Sequence, residues 1–78
     1  MQKLRQDPTL GSNIKKLRNA AGYTQEQVVA KLQLEGFNIT RGTYAKIECG
    51  QYSVRVSELV ALKKLFRVDY NAFFEGME

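Results

Sequence analysis

The sequence contains no histidine and no tryptophan, and its one cysteine is Cys49. A chain with one cysteine cannot form an internal disulfide, and without histidine it lacks the clusters of Cys and His that build zinc sites. Cys49 also has no evident base beside it, and the carboxylates are not spaced as metal ligands. We therefore expect no metal, no other cofactor and no enzyme activity.

Long apolar runs are absent as well. No segment approaches the roughly 20 apolar residues that a membrane span requires. At the N-terminus, Lys3 and Arg5 are not followed by an apolar region, so neither a signal peptide nor a lipidation motif is recognised. These absences predict a cytoplasmic protein without membrane contact.

The 78 residues suffice for one domain, and 44% of them are apolar, as in globular proteins. The net charge of +4 permits binding to nucleic acid but does not demand it. The basic excess lies before Thr24, where Lys15 and Lys16 also fit a solvated helix face. We interpret residues 1–78 as a single domain, in which residues 1–7 are either ordered or a flexible N-terminal arm.

The spacing of apolar residues predicts helices and no strand. Asp7-Pro8 is a good helix opening, because Asp can cap a helix and proline suits the first helical position. Gly11 and Ser12 weaken this start, so the first helix begins either at Pro8 or at Ser12. It ends near Ala21, where Gly22 supplies the stop.

Capping signals define the next two helices. Thr24 and Gln27 form a capping box at the start of a second helix of about twelve residues, which Gly36 closes. Thr40 caps a third helix from Arg41 to about Cys49. At both starts, the residue before the cap and the fourth residue of the helix form a hydrophobic staple: Tyr23 with Val28, and Ile39 with Tyr44.

Two further helices complete the prediction. The fourth begins between Val54 and Ser57, with Ser57 as its best cap, and carries an apolar face as far as Phe66. Asp69 caps a short last helix. The predicted fold is therefore an all-α, compact bundle of five helices.

Three short motifs follow one another at a definite spacing: Arg18 in the first helix, Gly22-Tyr23-Thr24-Gln25 opening the second, and Ile47-Glu48-Cys49-Gly50 closing the third. In this order they resemble the phage repressor and Cro class (XRE type) of helix-turn-helix domains, over the stretch from Ile14 to Phe74. The resemblance implies a domain whose third helix reads double-stranded DNA.

In that class, the start of the third helix lies in the major groove. The matching base-reading positions are Arg41, Gly42 and Lys46, and the positions close to the DNA backbone are Thr40, Thr43 and Ala45. The Arg41 guanidinium can bind both acceptors of a guanine edge, which gives about 1 to 3 kcal/mol of discrimination. Lys46 fits a base, a phosphate or solvent. Gly42 fits either a close approach to DNA or a tolerated first-turn glycine.

The second helix and the loop after the third are implied to hold the DNA backbone. Gln25 matches a glutamine that binds a phosphate, and the free amides and positive dipole end of the helix that Thr24 caps favour an anion there. The alternative for Gln25 is a solvated first-turn residue. The loop of residues 51–55 borders the phosphates in relatives, with Gln51 at its start and Arg55 as the expected phosphate contact.

The resemblance also implies an internal ion pair between Arg18 and Glu48, which is structural and does not touch DNA. The chain departs from the class between Leu32 and the cap Thr40, where seven residues intervene and the class has far fewer. An extended turn or a longer second helix is expected there. Tyr44 replaces a usual aliphatic residue, and either packs in the core or exposes its hydroxyl to a phosphate.

The expected function is sequence-specific binding of double-stranded DNA by a homodimer, in a transcriptional regulator of the repressor type. One copy spans one half-site, whereas paired recognition helices lie about 34 Å apart. Phe73, Phe74 and Met77 fit either a patch between two copies or packing onto the core. The alternative function is a module of the same fold that binds a protein, such as an antitoxin. No small-molecule ligand is implied.

Overall fold

The structure, a computed structural model, describes residues 8–77. Five helices follow one another: α1 (Pro8–Ala20), α2 (Gln25–Leu34), α3 (Arg41–Glu48), α4 (Val56–Phe66) and α5 (Tyr70–Phe73), and the described part contains no strand. The predicted all-helical fold is therefore confirmed. Of the two starts considered for the first helix, Pro8 is the one observed. The predicted cap Asp7 and the arm of residues 1–7 lie outside the described residues.

Local sequence sets where α2 and α3 begin. The Thr24 Oγ1 accepts the backbone N–H of Gln27 at 3.1 Å, and the Gln27 Oε1 accepts the N–H of Thr24 at 2.8 Å, which completes the predicted capping box. Thr40 accepts the N–H of Thr43 at 3.2 Å in the same way. Two otherwise orphaned amides of α2 and one of α3 are thus satisfied by neighbours in the sequence.

The predicted cap of the fourth helix, Ser57, is wrong. α4 begins at Val56, within the predicted range of starts, and Arg55 occupies the N-cap position, two residues before Ser57. The reason lies three residues further on, because the Glu58 Oε1 accepts the N–H of Arg55 at 2.8 Å. A helix capped by Ser57 would have Val60 at the corresponding position, and valine has no polar group to satisfy that amide.

The apolar faces of the helices meet in one core, which comprises Leu10, Ile14, Val28, Val29, Leu32, Ile39, Tyr44, Ile47, Val54, Leu59, Ala61, Leu62, Phe66 and Phe73. Phe73 is fully buried, and its ring stacks on that of Phe66 with the centroids 6.4 Å apart. The next residue, Phe74, is 36% exposed. The last helix was expected either to form a patch between two copies or to pack onto the core. For Phe73, packing onto the core is the correct interpretation.

Helix α1 packs against both α3 and α5. Gly11 lies where α1 meets the end of α3, and a Cβ atom there would be 2.5 Å from the carbonyl oxygen of Ile47. The buried Asn13 side chain donates hydrogen bonds to the carbonyl oxygens of Phe73 and Glu75, both at 2.9 Å. α1 thus contacts the end of α3 at Gly11 and, through Asn13, is hydrogen-bonded to α5 and to the residues that follow it.

The turn between α2 and α3 is extended, as the sequence predicted, and it is bonded to α2. The Phe37 N–H donates to the Leu32 carbonyl oxygen at 3.1 Å, and the Gln33 side chain donates to the Ile39 carbonyl oxygen at 2.9 Å. Ile39 itself is buried. The turn therefore holds the start of α3 in a defined position relative to α2.

Candidate nucleic-acid interface

The start of α3 is open to solvent. Thr40, Arg41 and Gly42 are exposed and Thr43 is half-buried. Within residues 8–77, the Arg41 guanidinium forms no hydrogen bond or ion pair. The Thr40 hydroxyl donates to the Thr43 hydroxyl at 3.1 Å in addition to capping the helix. The helix thus presents a free guanidinium at its first position, beside a glycine.

Behind this exposed helix lies a buried ion pair between Arg18 of α1 and Glu48 of α3. Arg18 Nε lies 2.7 Å from Glu48 Oε2, and Arg18 Nη2 donates to Glu48 Oε1 at 3.1 Å. The side chains are 9% and 2% exposed. Arg18 also donates to the carbonyl oxygen of Tyr23 at 2.9 Å. These are the two residues for which an internal pair was expected, and they join the end of α1, the α1–α2 turn and the end of α3.

The hydrogen bonds between Arg18 and Glu48 favour the charged forms of both side chains. Burial disfavours the charged form of Glu48, but the hydrogen bonds from Arg18 and Gln25, the nearby hydroxyl of Tyr44 and the positive charge of Arg18 together outweigh burial and keep the pKa of Glu48 below its ordinary value of 4.5. The hydrogen bond to Glu48 raises the pKa of Arg18 in turn. Both groups therefore stay charged inside the domain at neutral pH.

Tyr44 packs beneath α3, next to this pair, and is fully buried. Among the buried side-chain nitrogen and oxygen atoms of residues 9–77, only the Tyr44 hydroxyl lacks a hydrogen-bond partner. Burial, together with the negative charge of Glu48, raises the pKa of Tyr44 above its ordinary value. The core position is therefore the correct one of the two alternatives, and the hydroxyl is not available to a phosphate.

Gln25, at the first position of α2, is half-buried and donates from Nε2 to Glu48 Oε1 at 3.0 Å. The interpretation of Gln25 as a merely solvated first-turn residue is therefore wrong. Its amide nitrogen carries a second hydrogen, which this bond leaves free for another acceptor. The neighbouring Thr24 is exposed, and its hydroxyl oxygen is engaged in the capping box. The start of α2 is thus connected to the end of α3 through Glu48.

The far end of α3 contacts the loop that follows it. The exposed Lys46 ammonium lies 5.1 Å from the centre of the Tyr52 ring, and the N–H of Gln51 donates to the Lys46 carbonyl oxygen at 2.8 Å. The sequence reasoning assigned no separate role to Tyr52. The available signal was an aromatic residue just past Gly50, which ends the helix.

A groove of about 490 Å³ lies between the α2–α3 turn, α3 and the loop that leads into α4. Thr43 and Arg55, two of the expected DNA-binding residues, both line it, and so does Tyr52. Arg41 and Gln25 are not among its lining residues. The structure therefore places the expected residues at separate positions: Thr43 and Arg55 line the groove, Gln25 lies at the start of α2, and Arg41 lies at the exposed start of α3.

Within residues 8–77, no group of three or more Cys, Asp or Glu side chains is arranged to hold a metal ion. No helix in the same part of the chain is long and apolar enough to cross a bilayer.

Comparison with known families gives one result. A family model described as a helix-turn-helix domain matches residues 9–72, which include every residue considered above for DNA contact. No curated protein and no solved structure matches the chain significantly.

Proposed function

The chain belongs to the helix-turn-helix domain family, a family of XRE-like DNA-binding domains, and from this premise we propose that it binds double-stranded DNA sequence-specifically as a dimeric transcriptional regulator of the repressor type. The observation that carries the proposal is the exposed, unpaired Arg41 at the start of α3. The end of the same helix is held against α1 by the buried ion pair between Arg18 and Glu48. Such a helix can enter the major groove without rearrangement of its support.

Arg41 and Gly42 are proposed as the residues nearest to the bases. A guanidinium recognises the two acceptors of guanine, and a glycine leaves room for close approach. The remaining polar residues of the interface, which are exposed or half-buried, are assigned to the phosphates, which set register and orientation. They are Thr24, Gln25, Thr40, Thr43, Gln51 and Arg55. DNA binding also implies a location in the compartment that holds the genome, which we propose to be the cytoplasm.

The dimensions of the domain support a dimer. The domain measures 33 × 25 × 20 Å and contributes one α3, whereas successive half-sites read from one side of the duplex lie about 34 Å apart. Two copies are therefore proposed to bind one palindromic operator. We therefore expect the bound protein to protect two half-sites that are related by symmetry on the DNA.

Arg41→Ala is expected to abolish the sequence preference. The preferred duplex, selected from a randomised library, should bind about 5- to 150-fold more weakly because the bidentate base contact is lost, while binding to random duplex falls only slightly. Fluorescence anisotropy across a salt series measures both. Arg67→Ala, the same change at an exposed arginine after α4, serves as the control and should bind the preferred site like the wild type.

The wild type itself should show a log–log salt slope of about 0.9 for each phosphate contacted. A folded wild type that neither binds duplex in a salt-dependent manner nor enriches a site would exclude the proposal. The search would then move to protein partners, such as the toxin of an antitoxin pair.

Gly42→Ala separates a DNA role from a structural one. A Cβ at position 42 would meet only the Thr40 hydroxyl at 3.9 Å, so the domain has room for it, and alanine should stabilise α3 by up to about 1 kcal/mol. If α3 approaches DNA closely at this point, the added methyl group lowers affinity for the preferred site about ten-fold. Wild-type affinity in this variant would identify Gly42 as a tolerated glycine only. Thermal unfolding and anisotropy on the same preparation give the two measurements.

A further inference from the structure

The loop after α3 holds an aromatic ring in a fixed place beside the last turn of that helix. The N–H of Tyr52 donates to the carbonyl oxygen of Lys46 at 3.3 Å, which ties the loop to α3. Two residues later, Val54 is only 2% exposed and fixes the loop to the core. Between these two attachments, Tyr52 remains 46% exposed. Its ring is therefore a half-exposed platform rather than a core residue.

This platform carries the Lys46 side chain. The ammonium lies 5.1 Å from the ring centre, within the range in which an aromatic face attracts a cation. The contact directs Lys46 toward the loop that also contains Arg55. A point charge held at a loop suits a phosphate oxygen, which accepts an ammonium without the paired geometry that a base edge requires.

We propose that Tyr52 is a positioning residue that holds the Lys46 ammonium as a ligand for a DNA phosphate rather than for a base. The inference rests on the proposed DNA binding. Of the three partners considered for Lys46, a base, a phosphate or solvent, it selects the phosphate. An unrestrained lysine loses side-chain freedom when it contacts DNA, whereas one already held over a ring loses less. Tyr52 thus contributes to affinity through Lys46 without itself reading the sequence.

Affinity measurements on the preferred and the random duplex test the pair. Lys46→Ala should weaken binding to both duplexes equally and lower the salt slope by about 0.9, as expected for one lost phosphate contact. Tyr52→Ala keeps the charge, so the slope should stay near the wild-type value while affinity for both duplexes falls about two- to five-fold. In the Lys46→Ala background, Tyr52→Ala should have no further effect. Tyr52→Phe keeps the ring and should restore most of the affinity.

The chain offers a matched control for the tyrosine variant. Tyr70 is 41% exposed and lies under Lys63 at 5.2 Å, in a lysine–tyrosine pair of similar geometry outside the proposed interface. Tyr70→Ala should leave both affinities unchanged. A measurement without DNA reports the contact directly, since the ring current of Tyr52 shifts the ε-methylene protons of Lys46 upfield. This NMR shift should persist in Tyr52→Phe and vanish in Tyr52→Ala.

Two results would overturn the inference in a wild type that binds DNA. One is wild-type affinity in a folded Tyr52→Ala, and the other is a changed site preference in Lys46→Ala, which would mean that Lys46 reads a base. Failure of the proposed function looks different, because the wild type then shows no salt-dependent binding at all. In that case the proposed contact of Lys46 with a phosphate is excluded together with the proposed DNA binding.

Discussion

Gly11→Ala is expected to destabilise the domain by about 3 kcal/mol or more, at the upper end of the cost of overpacking a core. The added Cβ would lie 2.5 Å from the Ile47 carbonyl oxygen and 2.6 Å from that of Glu48, and both are backbone atoms at the end of α3. Relief requires α1 to move away from α3. For a domain of this size the unfolding midpoint should fall by more than about 10 °C, as measured by circular dichroism.

Gly42→Ala is the matched control for this prediction. The chemical change is the same, and it also lies in a helix, but the nearest atom to the new Cβ is 3.9 Å away. Intrinsic helix propensity favours alanine by up to about 1 kcal/mol at either position. If Gly11→Ala lowers the stability of the domain whereas Gly42→Ala raises it, the difference shows that α1 and α3 leave no space for a Cβ at position 11. A Gly11→Ala protein with the wild-type midpoint would show that the two helices do not approach so closely.

Glu48→Ala is expected to cost about 3 to 5 kcal/mol in the free energy of unfolding, because it leaves the Arg18 guanidinium buried without its counter-charge. The same change removes the acceptor of the Gln25 side chain. Glu48→Gln keeps the shape and one acceptor oxygen and should cost less. Urea unfolding at neutral pH measures all three proteins. Glu35→Gln, at an exposed position after α2, is the control and should stay within about 0.5 kcal/mol of the wild type.

The ion pair also predicts a pH dependence with a defined sign. Because folding lowers the pKa of Glu48, the carboxylate contributes stability above its ordinary pKa of 4.5, and this contribution is lost as pH falls through the lower folded value. Glu48→Gln has no such group. The difference in stability between the wild type and Glu48→Gln should therefore shrink on acidification below about pH 4.5. A constant difference down to pH 2 would contradict a lowered pKa.

The same pair connects stability to the proposed function. Glu48 receives Arg18 from α1 and Gln25 from the start of α2, so one carboxylate sets the positions of three helices relative to one another. A phosphate bound at Gln25 would share that amide with Glu48. Stability and DNA affinity should therefore be lost together in Glu48 variants, whereas Arg41 variants should lose affinity alone.

Features that depend on neighbours in the sequence were predictable. The capping box of Thr24 and the cap Thr40 were predicted correctly, because a cap and the amides it satisfies lie within one helical turn. The family resemblance likewise rested on short motifs, and the match over residues 9–72 confirms it. The Ser57 prediction failed although it is also local, since the decisive group was the reaching carboxylate of Glu58 rather than the best capping side chain.

Contacts between distant residues were decided only by the tertiary structure. Helical periodicity alone could not tell that Phe73 faces the core while Phe74 is partly exposed, nor that Tyr44 buries its hydroxyl. In the sequence Gly11 is a residue that weakens a helix, and its value lies in the close crossing of α1 over α3. The sequence by itself determined the helices and the caps of α2 and α3, because propensity and capping act within a few residues. The tertiary structure decided which of those side chains meet, because burial and charge pairing depend on how the helices cross.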